Sequence, residues 1–220
     1  MIKFVVFDLD GTLVDSLTDL AQSVNKGLVK AGLEPKPIEN YNQYVGNGRE
    51  VMLKKAMGEF SADEDKLNIV RDTFNSEYKL HYADNTVAYK GCDELLKKLY
   101  QQGIMTAILS NKPDEFVGTI ANTVFPSHKF TEAWGQKPEY KRKPDGQALI
   151  AMLDIYGVDK SECLYVGDSD VDVMTAKNAG VVMAGVEWGF RGREELISVG
   201  ADFVAANADE LYNYIISEGK

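Results

Sequence analysis

Seven polar residues, scattered over most of the chain, are of types that could do chemistry together: Asp8 and Asp10, Ser110 and Asn111, Lys143, and Asp168 and Asp172. Singly, each has an ordinary explanation. Asp10-Gly11 is a common turn dipeptide, Ser110-Asn111 a common loop, Lys143 a solvated lysine and Asp168 a helix N-cap. As a set they hold the parts that phosphoryl transfer requires, a reaction dominated by positioning and charge stabilisation. A carboxylate can attack phosphorus and form a covalent intermediate. The group attacked is itself an anion, so cations are needed beside it. A lysine is one. A hard octahedral ion such as Mg2+ is another, and it takes one or two carboxylates, a carbonyl, waters and a substrate oxygen. Asp8 and Asp168 are the natural carboxylate ligands, and positive charge from Lys143 and the metal would keep Asp8 ionised.

Residues so far apart need a frame that gathers them. Phe4 to Phe7 is apolar without alternation, as expected of a parallel strand covered on both faces, and Asp8-Leu9-Asp10-Gly11-Thr12 ends it in a turn. A helix is expected from Ser16 to Ala31, where Leu17, Leu20, Ala21, Val24, Leu28 and Ala31 form one stripe before Gly32. From there to about Asp84 the pattern is helical throughout. Short helices are expected over 38–44 and 49–57, and Ser61-x-x-Glu64 reads as a capping box that opens a helix to about Tyr82. Afterwards strands (104–109, 130–133, 164–166, 181–186, 203–204) alternate with helices (94–102, 113–124, 144–156, 171–178, 208–216). Pro144 is expected in the first turn of its helix. The fold class is therefore α/β: a Rossmann-like parallel sheet core with helices on both faces, built from residues 1–15 and 84–220, with an inserted all-helical domain at 16–83. In such sheets ligands bind beyond the carboxyl ends of the strands, where these polar residues fall.

Composition narrows the partners. Apolar residues make up 45% and charged residues 26%, which is ordinary for a globular protein. The formal net charge of -10 opposes binding to nucleic acid or to an anionic membrane. The densest cationic stretch, Lys137 to Lys143, is broken by Glu139. Cys92 and Cys163 match no metal-ligand spacing and suggest no disulfide framework, which fits a reducing cytoplasm. The apolar run at 4–7 is too short for a signal peptide, and no stretch has the length of a membrane span. A cytoplasmic protein acting on a small molecule is expected.

The order and wording of the polar segments resemble the haloacid dehalogenase superfamily, in particular its phosphatases. Phe7-Asp8-Leu9-Asp10-Gly11-Thr12-Leu13 is similar to the first motif of that superfamily, Ser110-Asn111 to the second, Lys143-Pro144 to the third and Gly167-Asp168-Ser169-x-x-Asp172 to the fourth. One departure is that Gly146 stands where relatives often have a second proline. The resemblance implies that Asp8 is the nucleophile, that Asp10 donates a proton to the leaving oxygen and later takes one from water, and that Lys143 and the Ser110 hydroxyl stabilise the phosphoryl oxygens. It also implies a magnesium site made of Asp8, Asp168 and the backbone carbonyl of Asp10. Asp172 is expected to hold a metal-bound water or orient Lys143, or else to serve only as a first-turn helix acid. Asn111 and Thr12 are expected at the substrate, Thr12 with a hydrogen bond to Asp10 or the loop. In this superfamily the helical insertion is a cap that opens for substrate and closes for chemistry. Val45-Gly46-Asn47-Gly48-Arg49 is its candidate substrate loop, with Arg49 able to hold a carboxylate in two hydrogen bonds.

Within the superfamily, Gly11-Thr12-Leu13-Val14-Asp15-Ser16, Ser110-Asn111-Lys112 and Val186-Glu187-Trp188-Gly189-Phe190 are most similar to phosphoglycolate phosphatases and related pyrophosphatases. A small phosphomonoester of the phosphoglycolate kind is thus the expected substrate, with pyrophosphate or a sugar phosphate as the alternative. Trp188 and Phe190 also read as plain packing residues. A phospho-acceptor signalling module would combine similar residues, but its acceptor follows a later strand and it carries no cap.

Overall fold

The computed structural model describes residues 1–217. In chain order the strands and helices begin with β1 (Phe4–Phe7), β2 (Val14–Asp15), α1 (Leu17–Lys30), α2 (Arg49–Met57), α3 (Glu64–His81) and β3 (Val87–Ala88). They continue with α4 (Cys92–Gln101), β4 (Met105–Pro113), α5 (Asp114–Val124), β5 (Glu132–Gln136), α6 (Gln147–Tyr156) and β6 (Cys163–Gly167). The last are α7 (Asp170–Ala179), β7 (Val182–Val186), α8 (Arg193–Ser198), β8 (Phe203–Ala205) and α9 (Ala208–Ser217). The chain divides into two compact units, one of Met1–Val14 with Ala88 onward, the other of Asp15–Val87.

The first unit holds a six-stranded sheet in the order β5-β4-β1-β6-β7-β8, parallel throughout. β1 is central, and all four of its side chains are fully buried, which is what its unbroken apolar run requires. Phe4, Val6, Cys163 and Tyr165 face Leu149, Met152 and Leu153 of α6 and Val173 and Ala176 of α7 in one cluster. Each such buried side chain contributes roughly 2 kcal/mol relative to exposure. α4 packs on β4 and on α9, and α5 covers β4 and β5, so both faces of the sheet are clothed by helices. No helix among the described residues is long and apolar enough to cross a membrane.

Several boundaries differ from the sequence pattern, each for a local reason. β5 lies at 132–136 rather than 130–133, because its ladder with β4 starts at Glu132 opposite Ala107 while Phe130 turns aside to the rings of Phe125 and His128. Ser110 and Asn111 are not in a loop: β4 carries through them to Pro113, rejoining β5 at Gln136 after an irregularity. α6 begins at Gln147 instead of Pro144, with the Asp145 carboxylate accepting from the Gln147 N–H at 2.9 Å. The Lys143–Pro144 peptide is cis. The segment 38–43 is a short 3-10 turn. Ser61 caps nothing, since it lies in a second such turn over 58–62, and Asp63 caps α3 by accepting from the Lys66 N–H at 3.0 Å. The paired two-residue strands β2 and β3 and the short helix α8 were not foreseen; pieces so brief carry no readable periodicity.

The second unit is built around α1 against α3. Of the expected stripe, Leu20, Ala21, Val24, Leu28 and Ala31 are buried and Leu17 is half-buried; Leu67, Val70, Phe74 and Tyr78 of α3 are buried too. Gly27 lets the two approach: a Cβ there would stand 2.8 Å from the Val70 carbonyl oxygen. Asp19, only 1% exposed, ties the start of α1 to the returning chain. Its carboxylate accepts from the N–H groups of Asn85 and Thr86, from the Asn85 amide and from the Thr86 hydroxyl, at 2.7 to 3.0 Å. Asp19→Ala would take this acceptor from the two N–H groups and the Asn85 amide, the Thr86 hydroxyl keeping the Tyr82 carbonyl at 3.1 Å. A loss of about 3 kcal/mol in unfolding free energy, read by urea denaturation, is the expected result.

Candidate active site

Parallel register gathers the polar residues in the first unit. Phe7 pairs with Ile108 and with Val166, so Asp8 leaves β1 level with the approaches to Ser110 and Asp168. The chain then folds tightly: the N–H groups of Thr12, Leu13 and Val14 all donate to the Leu9 carbonyl, at 3.0 to 3.3 Å. Gly11, at φ +85, makes this turn, and any Cβ on it would strike the Asp168 carboxylate.

Asp8 and Lys143 form the centre. Lys143 Nζ lies 2.9 Å from Asp8 Oδ1 and 2.7 Å from Asp172 Oδ1. It also donates to the Tyr165 hydroxyl at 3.1 Å. Asp8 Oδ1 accepts a second hydrogen bond from the Leu9 N–H at 2.7 Å. The backbone of Lys143 is held by Asn111, whose amide donates to the Lys143 carbonyl at 3.0 Å and accepts from its N–H at 2.8 Å. These bonds give Asn111 a hand in placing the lysine. Ser110, 5% exposed, has its hydroxyl oxygen 3.2 Å from the Lys112 N–H.

Asp172 contacts Lys143 and the start of α7 at once. Oδ1 meets Lys143 and lies 3.2 Å from the Tyr165 hydroxyl. Oδ2 accepts from the N–H groups of Asp168 and Ser169 and from the Ser169 hydroxyl, at 2.7 to 3.2 Å. The helix cap is thus Ser169 with Asp172, rather than Asp168. Asp168 instead accepts from the Thr12 hydroxyl at 3.2 Å and from the Phe190 N–H at 2.8 Å. Thr12 therefore bonds Asp168 and not Asp10. Asp10 is paired with Lys112, whose Nζ lies 2.8 and 3.0 Å from its two oxygens.

Three residues of this network have no role assigned from the sequence. Lys112 enters there only as part of the Ser110-Asn111-Lys112 stretch, although its side chain is 2% exposed. Tyr165 sits in an apolar strand, and a hydroxyl that must find partners when buried was the available signal. The third is Gly189 in the loop after β7, where a Cβ would overlap Asp168 and the Gly11 carbonyl. That loop does more than pack: Trp188 Nε1 donates to the Thr12 carbonyl at 3.0 Å.

Burial shapes the charges. It pushes the Asp8 carboxyl from 3.8 up to about 7, with Lys143 opposing and Asp172 and Asp10 adding to the rise. Burial, with Asp172 and Asp8 nearby, also holds Asp168 well above the carboxylate range. For Lys143 burial works against the charge, but the carboxylates of Asp172 and Asp8 outweigh it and keep the ammonium well above its usual range. Carboxylate oxygens of Asp8, Asp168 and Asp172 lie within 4.8 Å of one another. With Asp10 this makes four carboxylates facing the ammonium groups of Lys112 and Lys143. Such an excess of buried negative charge suits a small cation. Asp172 is the most engaged of the four, with Oδ1 on Lys143 and the Tyr165 hydroxyl and Oδ2 on three donors.

Arg49 stands in the second unit at the start of α2. Its Nη1 donates to Asn75 at 2.9 Å and its Nε to Glu50 at 3.3 Å. The preceding loop has Gly46 at φ 111 and Gly48 at φ 83, conformations that favour glycine.

Comparison with known proteins agrees with this architecture. A family model described as haloacid dehalogenase-like hydrolase matches residues 5–186. A phosphoglycolate phosphatase of Pseudomonas fluorescens is 35% identical over 86% of this chain and 70% of its own. One from Vibrio parahaemolyticus is 33% identical over 97% of this chain and 96% of its own. A crystal structure from Lactobacillus delbrueckii subsp. bulgaricus, assigned by inference as a phosphoglycolate phosphatase, superposes with a TM-score of 0.89 at 29% identity, covering 97% of this chain and 98% of the other.

Proposed function

We propose, from the premise that this chain belongs to the haloacid dehalogenase-like hydrolases and is a phosphatase of that family, that it hydrolyses a small phosphomonoester of the phosphoglycolate kind through an aspartyl-phosphate on Asp8. The observation that carries this reading is the buried Lys143 ammonium set between Asp8 and Asp172 at 2.9 and 2.7 Å. It opposes the burial that would otherwise neutralise the nucleophilic carboxylate, at a site that must also accept an anion.

Asp8 attacks phosphorus, and the bond from phosphorus to the leaving oxygen breaks as Asp10 gives that oxygen a proton. Water then attacks the phosphorus of the aspartyl-phosphate. Asp10 takes a proton from it, the bond to Asp8 breaks, and phosphate departs. Lys143, oriented by Asp172, Tyr165 and the Asn111 clamp, neutralises charge on the phosphoryl oxygens together with the Ser110 hydroxyl. Asp8, Asp168 and the backbone carbonyl of Asp10 would hold Mg2+. When bound, Mg2+ neutralises the phosphate charge and fixes its orientation. Thr12 and the Phe190 N–H keep the Asp168 carboxylate in place for it.

We assign the helical unit the role of a cap that selects the leaving group, and Arg49 the recognition of a substrate carboxylate. The hold of Asn75 and Glu50 on two of its nitrogens fixes the direction of its guanidinium. The identity of the curated relatives supports phosphoglycolate. The test is a phosphate-release screen over phosphoglycolate, pyrophosphate, sugar phosphates and uncharged esters, with Mg2+ and with chelator. Turnover of phosphoglycolate that chelator removes and Mg2+ restores is expected, and Arg49→Ala should raise its KM about tenfold while sparing an uncharged ester. Full activity in excess chelator would overturn the metal assignment, and equal effects on both esters would remove Arg49 from the substrate site.

A further inference from the structure

The two carboxylates to which the proposed reaction gives bond-making and proton-transfer roles each lie against a lysine. Lys143 lies on Asp8, and Lys112 lies on Asp10, contacting both oxygens at 2.8 and 3.0 Å. Lys112 is among the most enclosed charges in the protein, with a side chain 2% exposed against 11% for Asp10. A buried ammonium costs several kcal/mol unless it is paired, so the pair constrains both partners. β4 presents it from the end of the strand that also carries Ser110 and Asn111. Asp10 is only two residues from Asp8, on a tight turn. A carboxylate there, lacking a cation of its own, would be drawn towards the Lys143 ammonium and compete with Asp8 for it.

We propose that Lys112 is a positioning residue for the leaving-group step: it anchors the Asp10 carboxylate in its own place and leaves Lys143 to the nucleophile. The proposal rests on the reading of Asp10 as the group that exchanges protons with the leaving oxygen and with water. Lys112 then acts on the reaction through Asp10. Its loss should matter in proportion to how much the leaving group needs a proton, and not once Asp10 is gone.

The experiment compares wild type, Lys112→Met, Lys112→Gln, Lys112→Arg, Asp10→Asn and the Lys112→Met/Asp10→Asn double variant, each checked for folding by near-UV circular dichroism. Substrates run from an alkyl phosphate to an activated aryl phosphate. Either neutral variant should lose roughly 10²-fold in kcat on the alkyl phosphate with KM little changed. Either should still release aryl alcohol in a rapid first turnover. Lys112→Arg should recover most of the alkyl rate, and the double variant should be no slower than Asp10→Asn. The proposal is overturned if the neutral variants slow alkyl and aryl first turnovers equally, or if they raise KM and the inhibition constant of inorganic phosphate for every substrate. A double variant that multiplies the two single losses would overturn it too. If Asp10→Asn itself shows no dependence on the leaving group, the assignment of Asp10 falls and this proposal with it. If Asp10→Asn shows that dependence and the Lys112 variants do not, this proposal falls alone.

Discussion

Asp8→Asn should abolish phosphate release and covalent labelling while leaving a folded protein. Asparagine keeps the size of the side chain, and its amide oxygen can still accept from the Leu9 N–H now at 2.7 Å. Lys143 loses one carboxylate but retains Asp172 at 2.7 Å and the Tyr165 hydroxyl at 3.1 Å. Burial above all, with Asp172 and Asp10 adding and Lys143 opposing, pushes the Asp8 carboxyl up to about 7, so removing its charge relieves a desolvation cost. Unfolding by urea should show stability equal to wild type or greater. Chemistry fares otherwise, because the amide is no nucleophile. A fall of roughly 10⁴-fold or more in kcat is expected, with no phosphate on the protein by intact mass after acid quench. An Asp8→Asn protein, free of deamidation and turning over near the wild-type rate, would show that another group makes the bond to phosphorus.

The second large effect separates the two carboxylates. Asp10→Asn should release up to one equivalent of alcohol rapidly from an activated aryl phosphate and then stall, carrying phosphate on Asp8. The first step survives because such a leaving group departs without a proton. The second slows because no group takes a proton from water, a contribution of roughly 10² to 10⁴-fold. On an alkyl phosphate both steps should slow, without a burst. Stability should move in the opposite direction from Asp8→Asn. Lys112, 2% exposed at its side chain, would lose the Asp10 carboxylate, and breaking a buried pair by removing one member costs about 3 kcal/mol. Urea denaturation of the two variants side by side checks this contrast. Steady release from the aryl substrate, with no phosphate retained, would rule out Asp10 as the base.

The core strands were legible because a parallel sheet buries both faces and so leaves continuous apolar runs; Phe4–Phe7 and Cys163–Gly167 are fully buried. Edge and loop features were less so. β5 shifted by two residues because its position answers to pairing with Ala107 and Ile108 of β4, which no local pattern reports. The cap of α3 moved from Ser61 to Asp63 because two acceptors compete at that helix start, and the preceding turn decides between them.

The sequence by itself determined the residue types of the site and their order along an alternating β-α pattern: Asp8, Asp10, Ser110, Asn111, Lys143, Asp168 and Asp172. Types suffice for that much, because a nucleophilic carboxylate, a lysine and hard-metal ligands are a short list of chemistries. Only the tertiary structure decided who serves whom. It gave Thr12 to Asp168, Asn111 to the backbone of Lys143, Tyr165 to the Lys143–Asp172 pair and Lys112 to Asp10. The physical reason lies in sequence separation. Lys112 and Asp10 are 102 residues apart and Thr12 and Asp168 are 156 apart. Whether such pairs meet depends on strand order and register, and on which lysine the packing removes from water. Exposed and buried lysines are the same letter in the sequence, and only the folded chain sets the burial that makes Lys112 and Lys143 need a carboxylate.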